Sequence, residues 1–590
     1  MDRKSIIVIV ISLLLLWVLT RTVNHFYPPI PIPPEQLAAM TNAQSGNVQA
    51  LTTVSNAPGT VTATNPAPLV LPSLPEQTLL LTNDDLIFCF TSHGGGLKTV
   101  ALRKFPAVIS RTGVTSLETN TATLNAKAPA PVLAFLGNEA QGDNYFTLTR
   151  NGRVVTAEKN LANGLRLVKE FDIGTNYVFT ARVRMENTSA QPLKIPTREL
   201  VVGTATPVGP LDDPTALGAF WYNGVKAQSV KQPWFANRTL GCIPGTPRAV
   251  YEEGTNNVVW TAVHNQFFTL AAIPANPAPR VIIHPIYIPP PEMVGLTNAT
   301  SAFLTNGLEV ADEYPATVLP PHQALEGDFT FYAGPKKYYD LAKIGQSMNN
   351  NLDLIMDFSG FTGFFSKMLL ISMNGLHALG LGYGWTIIAI TLIIKGIFWP
   401  LTKASTRSQK RMQALQPQMK AIAEKYKDDP VKKNQKTMDF MKENKVSPLG
   451  SCLPMVIQVP VFIGFYYMLR NAIELRGIPF LWARDLSQPD TIMYLPFLGG
   501  FPINPLPLIM GATQLWQAHL LPPSPGMEPG QQKIMRYMPL MFIAMFYRMP
   551  SGLTLYWTVQ NLLGILQTRL TKMSDDTAAK PGALVAKKKM

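Results

Sequence analysis

The 590-residue sequence predicts a multi-domain membrane protein, with an all-α polytopic membrane core of six spans in total and an all-β exported domain. Three observations predict it. Apolar runs of membrane length occur only at the N-terminus and after about residue 360. Between them, from about residue 76 to 335, the hydrophobic pattern has period two. The loops between the apolar runs alternate in basic charge.

The chain opens MDRKSIIVIVISLLLLWVLTR, with Arg3 and Lys4 ahead of an apolar stretch from Ile6 to Leu19. A cleavable signal peptide has this layout. Arg21 follows the stretch and no small-x-small cleavage site is evident, which favours a retained signal anchor over 1–23 with its N-terminus in the cytoplasm. Residues 24–75 are rich in Pro, Ala and Thr and read as a flexible linker, because this composition cannot bury a core.

Residues 76–345 read as a β-sandwich. In Tyr177–Met185 one face carries Tyr177, Phe179, Ala181, Val183 and Met185, while Thr180, Arg182 and Arg184 point the other way. Asn151-Gly152 lies between FTLTR and RVVTA, a two-residue hairpin signal. Short strands of this kind recur with Gly, Pro and Asn punctuation, and their Arg and Lys residues form mostly a solvated face.

From Tyr338 the period becomes helical. The region 346–384 contains Phe361–Leu379, whose length and bounding glycines suit a helix lying in the membrane interface. A short tilted span is the competing reading. Residues 385–572 hold five spans: Trp385–Leu401, then roughly Leu449–Leu469, Leu506–Leu521, Ile534–Met549 and Gly552–Leu570. A basic helical hairpin occupies 403–445 and a basic tail 573–590. In the hairpin, Met412, Leu415, Met419, Ile422 and Tyr426 form a seam for a partner helix. Lys427-Asp428-Asp429-Pro430 breaks that helix, and Met438 and Met441 share a side of the next. Met-rich faces suit adaptable contacts, or simply close the hairpin.

Charge sets the topology. The segment from Thr402 to Pro448 has twelve Lys/Arg against five acids, whereas Asn471 to Ile492 has two against three. Lys533, Arg536 and the tail lysines 587–589 fall on the basic side. All loops agree with an N-in, C-in arrangement that leaves the β domain outside the inner membrane.

Lys395 is the only charge in WTIIAITLIIKGIFWPL. A lysine in hydrocarbon costs about 2.5–3.5 kcal/mol on insertion scales, so it points to function. Snorkelling is the alternative, since Lys403 lies about 12 Å further along a helix. Other chemistry is excluded by what the chain lacks. There is no GxxxxGK[ST] loop, no HExxH pair among seven scattered histidines and no zinc spacing among three cysteines. No cofactor, metal or catalytic residue is expected. Cys89 and Cys242 fall in the exported part, where a bridge is allowed. The net charge of +14 suits ribosomal RNA or anionic lipid, given its place on the hairpin and tail, and no DNA.

The stretches GIFWPLTKAS (396–405), VSPLGSCLPMVIQVPVFIGFYYML (446–469), ELRGIPFLWARDLS (474–487), QQKIMRYMP (531–539) and PSGLTLYWTVQNLLGILQ (550–567) resemble the YidC/Oxa family of membrane protein insertases, in particular its bacterial members with a large periplasmic domain. In the exported part VVWTAVHNQFFTLAAIPA (258–275) and FYAGPKKY (331–338) continue the match. The resemblance implies a five-helix core around a water-filled groove, and a periplasmic β-supersandwich similar in fold to galactose mutarotase. It implies insertion and chaperoning of nascent membrane proteins, alone or with the Sec translocon. Lys395 stands where the family usually has Arg, and Ser447 and Ser451 replace Asn and Gly.

The expected mechanism follows from solvation. A polar tail crossing hydrocarbon loses several kcal/mol per unsatisfied backbone group, and a hydrated groove shortens that path. Lys395 would attract acidic tails, with Thr391 one turn earlier on the same face. Gln458, Gln514, Tyr556 and Trp557 are candidate linings, though such groups also make helix–helix hydrogen bonds. Pro400, Pro454 and Pro460 suit bends. The basic hairpin and tail would recruit ribosomes or contact anionic lipids. An intramembrane charge would also suit a transporter or channel with a periplasmic receptor domain, but no internal repeat is evident. A sugar-binding protein would not need five further spans as an anchor.

Overall fold

The computed structural model describes residues 72–109, 120–136, 142–209, 212, 214–237, 245–288, 306–358, 360–399, 402, 414–426, 429–444, 448–495, 497, 500–520 and 529–578. The expected anchor at 1–23, nearly all of the linker, Cys242, Met412 and the tail lysines lie outside them. The chain divides into two units, one ending at Gly334 and the other running from Pro335.

The first unit is built of antiparallel ladders. A nine-stranded sheet has the order Ala227–Lys231, Gly218–Tyr222, Trp260–His264, Phe268–Pro274, Ala324–Pro335, Val178–Asn187, Leu165–Asp172, Val154–Asn160, Thr147–Asn151. A five-stranded sheet (Tyr251–Glu253, Arg280–Tyr287, Asn306–Tyr314, Arg198–Ala205, Phe135–Leu136) packs on it. The contact is close at Gly203, where a Cβ would come within 2.8 Å of Leu270. A four-stranded sheet from Thr78 to Leu124 also packs on the large sheet, Phe88 against Phe179 and Phe90 against Phe171 with ring centroids 5.3 and 5.0 Å apart.

Period-two reading holds at the strand where it was clearest. Phe179, Ala181, Val183 and Met185 are buried, while Arg182 pairs with Asp328 at 2.7 Å and Arg184 with Glu326 at 3.2 Å on the open face. The hairpin differs by one residue. Asn151 pairs with Val154, so the turn residues are Gly152 and Arg153. Gly152 has φ +60°, which suits the first central position of a type II′ turn.

Five described charged side chains of this unit depart from the solvated face, Asp85, Lys169, Arg198, Glu309 and Asp312, and three of them are 3% exposed or less. Lys169 is fully buried, donates to the Gly94 carbonyl at 2.7 Å and lies between the rings of Phe135 and Phe146. Burial lowers its ammonium to about 7. Glu309, the cross-strand partner of His284, and Asp312, which accepts from Thr261 Oγ1 at 3.1 Å, are also buried. Desolvation raises both carboxyls to about 7. A carboxyl raised on folding stabilises fully below its unfolded pKa and loses that contribution as pH rises through the folded value. The sandwich should therefore lose on the order of 3 kcal/mol per carboxyl between about pH 4 and pH 7. Lys169 acts in the opposite sense, and only above about pH 7. Thermal unfolding across this range should show the loss, and Glu309→Gln with Asp312→Asn should flatten it. An unchanged slope in the double variant refutes the assignment.

The second unit is helical: α1 Tyr338–Ser347, α2 Gly360–Ala378, α3 Tyr383–Ile397, α4 Gln416–Lys425, α5 Pro430–Glu443, α6 Pro448–Asn471, α7 Pro505–Leu520, α8 Pro529–Phe546 and α9 Ser551–Ala578. Among the described residues, no helix is long and apolar enough to cross a membrane. Helices α3 and α7 have 15 and 16 residues, about 22–24 Å against a hydrocarbon thickness of about 30 Å. The longer α9 carries Thr, Gln and Asn through its middle.

Helix α2, expected in the interface, packs along α6. Ser366 Oγ donates to the Gly464 carbonyl at 3.0 Å, and a Cβ on Gly464 would lie 2.7 Å from Phe365 Cβ. In the hairpin, α4 and α5 close on Met419 and Met441, flanked by Leu415 and Phe440. Asp429 caps α5, accepting from the Lys432 amide at 3.0 Å. Met438 stays 43% exposed, whereas Met419 and Met441 are spent within the hairpin itself.

Candidate functional site

Helix α9 is the hub of the helical unit. Small residues let its neighbours approach. Gly552 lies near Ile387 of α3, with an ideal Cβ 3.5 Å from Ile387 Cδ1. Further along, Gln567 hydrogen-bonds Thr402 Oγ1, just beyond the end of α3. Both contacts join positions 165 apart in the sequence, so α3 and α9 run parallel and in step. That register puts Lys395 at the level of Gln560, and Thr391 at the level of Tyr556.

Helix α6 meets α9 as well, with Leu469 Cδ2 3.8 Å from the same ideal Cβ at Gly552. Tyr556 Oη lies 2.8 Å from Gln458 Nε2, which donates to it, and Gln560 Nε2 donates to Gln458 Oε1 at 3.0 Å. The Tyr556 ring stacks on Phe465 with centroids 4.1 Å apart. A continuous amide–phenol chain therefore joins α6 to α9 at the level of the lysine. Lys395 is half-buried and has no charged neighbour among the described residues. Gln458 and Gln560 are half-buried too, whereas Tyr556 and Thr391 are 1% exposed. The Thr391 hydroxyl donates back to the Ile387 carbonyl at 2.7 Å.

The remaining two candidates sit elsewhere. Trp557 belongs to an aromatic cluster with Phe462, Phe542 and Phe546, 4.6–5.8 Å between centroids. Gln514 lies on α7, its Oε1 buried without a hydrogen-bond partner among the described residues. Sequence reasoning did not single out Gln560, Asn561 or Gln567. Asn561 donates to Met510 O and Thr513 Oγ1, both at 3.2 Å. A signal for the glutamines was available: Tyr556, Gln560 and Gln567 recur at spacings of four and seven, one stripe of α9.

The other end of the bundle is closed by the loop between α6 and α7. Ser551 Oγ donates to the Asp485 carbonyl at 2.9 Å, and the Gly552 amide to Leu486 O at 2.9 Å, which ties the start of α9 to the loop. Asn504 Nδ2 donates to Tyr547 O at 2.6 Å, and Tyr547 Oη to Pro502 O at 2.6 Å. Desolvation raises the Asp485 carboxyl, against hydrogen bonds from Ser487 that lower it.

The helical unit sets one lysine level with a pair of bonded glutamines, and it follows a β-sandwich in the chain. Residues 79–371 match the family model of the YidC periplasmic domain, and residues 375–578 match that of the 60Kd inner membrane protein. The membrane protein insertase YidC of Bordetella avium is 31% identical over 508 residues, 83% of this chain and 82% of that one. That of Syntrophus aciditrophicus is 29% identical over 96% of this chain and 98% of its own. A crystal structure of an active YidC insertase with its first transmembrane domain resolved is 17% identical, with a TM-score of 0.32, covering 86% of this chain and 94% of that one. The chain belongs to the YidC family of membrane protein insertases. It serves insertion of nascent membrane proteins in the bacterial inner membrane, carries a periplasmic domain of β-sandwich sheets, and is not an enzyme.

Proposed function

We propose that insertion runs through a hydrated groove whose fixed charge is Lys395, in a six-span, N-in and C-in chain. The segments are a signal anchor at 1–23, a linker at 24–75, the periplasmic sandwich at 76–345, an interfacial region at 346–384 and the core at 385–572. The hairpin 403–445 and tail 573–590 then face the cytoplasm. One observation carries the reading: the shared register of α3 and α9 sets Lys395 level with the Gln458–Gln560 pair.

Half-buried Lys395, Gln458 and Gln560 would meet the polar tail of a client. Tyr556 would hold Gln458 in place by accepting its amide hydrogen bond, with Thr391 at the same level of α3. Amides donate and accept, so they can replace water around a passing backbone. The tails favoured would be acidic, because a carboxylate near an ammonium gains a few kcal/mol at intermediate dielectric, roughly 4 at 4 Å. Trp557 and Gln514 would line the apolar flank where a client helix leaves. The hairpin spends Met419 and Met441 on itself, which favours charge as the means by which it meets ribosomes or anionic lipid. Work alone and work beside the Sec translocon are both compatible with this groove.

Thiol accessibility tests the groove. A cysteine at position 560, in a chain whose three native cysteines are serine, should react with a membrane-impermeant maleimide added from the cytoplasmic side. Reaction at the rate of a lipid-buried thiol would mean a dry cavity and would end this reading.

A further inference from the structure

The loop between α6 and α7 carries an unusual tip. Phe480 and Ala483 exchange both backbone hydrogen bonds, at 2.8 and 3.0 Å, so Leu481 and Trp482 are the two central residues of a tight turn. Gly, Asn or Asp ordinarily fill such places, because left-handed backbone is costly for a residue with a branched or bulky side chain. Leu481 nevertheless holds φ +54°, with 68% of its surface exposed, and Trp482 is 41% exposed.

The tip is firmly held. Trp482 Nε1 donates to Asp490 Oδ2 at 2.9 Å, and the same oxygen accepts the Leu506 amide at 2.6 Å, at the first turn of α7. Asp490 is itself only 3% exposed. At the base of the turn Phe480 meets Trp385 edge-on, 5.4 Å between centroids, at the start of α3. The tip is thus referenced to the ends of two apolar helices with exposed faces, Trp385 and Leu392 on α3 and Leu508 on α7. A short hairpin, Met493–Leu495 with Phe501–Ile503, exposes Met493, Tyr494 and Phe501 and leads into α7.

We propose that this turn is a membrane-interface anchor, with Leu481 and Trp482 seated at the headgroup–acyl boundary of the leaflet that faces the periplasm. Lipid is the occupant because the exposed apolar surface continues onto the outward faces of α3 and α7. An indole whose N–H is already satisfied suits that boundary. Exposed Arg484, two residues on, offers a guanidinium to lipid phosphates. The anchor has a consequence for the groove. Lys395 is ten residues beyond Trp385, about 15 Å along α3. Holding the start of α3 at one interface would keep the ammonium near the middle of a hydrocarbon layer about 30 Å thick.

This inference rests on the proposed topology, and one experiment separates the two. Leu481→Cys and Val225→Cys are made singly in the full chain lacking its native cysteines. Each is labelled with an environment-sensitive fluorophore and reconstituted in vesicles of phosphatidylethanolamine and phosphatidylglycerol. The probe at 481 should lose most of its emission to lipids carrying a nitroxide high on the acyl chain and little to aqueous iodide. The probe at 225, on a residue 88% exposed in the sandwich, should show the reverse. Iodide quenching at 481 from the same side as 225 overturns the anchor and leaves the topology standing. Iodide quenching from the opposite side overturns the topology. Shielding that appears only when a Sec translocon or a client is added would make the occupant a protein and also overturn the anchor. Leu481→Asn guards against misfolding, because Asn adopts positive φ readily. It should fold as well as the parent, while a probe at Trp482→Cys in that background should move towards water. If that probe stays as deep as before, Leu481 is not the anchoring residue.

Discussion

Lys395→Ala is expected to slow insertion of clients with acidic translocated tails by about ten- to hundredfold, while Lys395→Arg retains most of the rate. The range corresponds to losing about 1.4–2.8 kcal/mol of attraction at the rate-limiting step. Three features support a strong effect. The lysine has no charged neighbour among the described residues, so its field is not spent on the chain itself. It is half-buried, where water screens charge less than at the surface. It lies level with amides already engaged with one another, which can orient a backbone but not replace a charge. Clients with neutral tails should be nearly indifferent, because alanine leaves the amide chain in place. Insertion into vesicles, followed by protease protection of matched acidic and neutral tails, measures both. Equal loss with alanine and arginine, or none with either, contradicts the charge role. Arginine is not a perfect substitute, since its planar fork pairs bidentately with a carboxylate and could delay release.

The second large effect concerns helix packing. Gly464→Val should separate α2 from α6 and destabilise the helical unit by roughly 1–3 kcal/mol, the usual cost of overpacking. The contact leaves no room: the first added carbon would lie 2.7 Å from Phe365 Cβ and 3.4 Å from the Ser366 amide. It would also strain the hydrogen bond from Ser366 Oγ to the Gly464 carbonyl. Gly375→Ala provides the contrast on α2, since nothing lies within 4 Å of a Cβ there. It should be neutral or stabilising by about 0.4–1 kcal/mol. Thermal unfolding in detergent compares the two, and a valine at 464 that melts with the parent would refute the packing account.

The helices were legible because their signal is local. The apolar segments predicted from about 449, 506, 534 and 552 appear as α6, α7, α8 and α9. Helix α4 ends at Lys425 and α5 begins at Pro430, where proline lacks a donor and Asp429 supplies a cap. Val178–Asn187 announced itself by alternation alone. The candidate site was legible only in part. An isolated lysine in an apolar run is visible in any sequence, but its companions are ordinary glutamines and tyrosines. Gln458 and Tyr556 stood out for their type. Gln560 was passed over, because nothing local shows that it bonds Gln458 from 102 positions away.

By itself, then, the chain's order of residues determined which segments are strand or helix, where charge divides the loops, and which apolar run holds a lysine. These are properties of one helix turn or one strand pair, set by neighbours a few positions apart. Tertiary packing alone decided that Ala324–Pro335 lies beside Val178–Asn187, that Lys169, Glu309 and Asp312 are buried, and that α3 and α9 run in step so that Lys395 meets the level of Gln560. The reason is physical: periodicity says which face of an element must be covered. Only the fit of side chains across positions more than a hundred residues apart says what covers it.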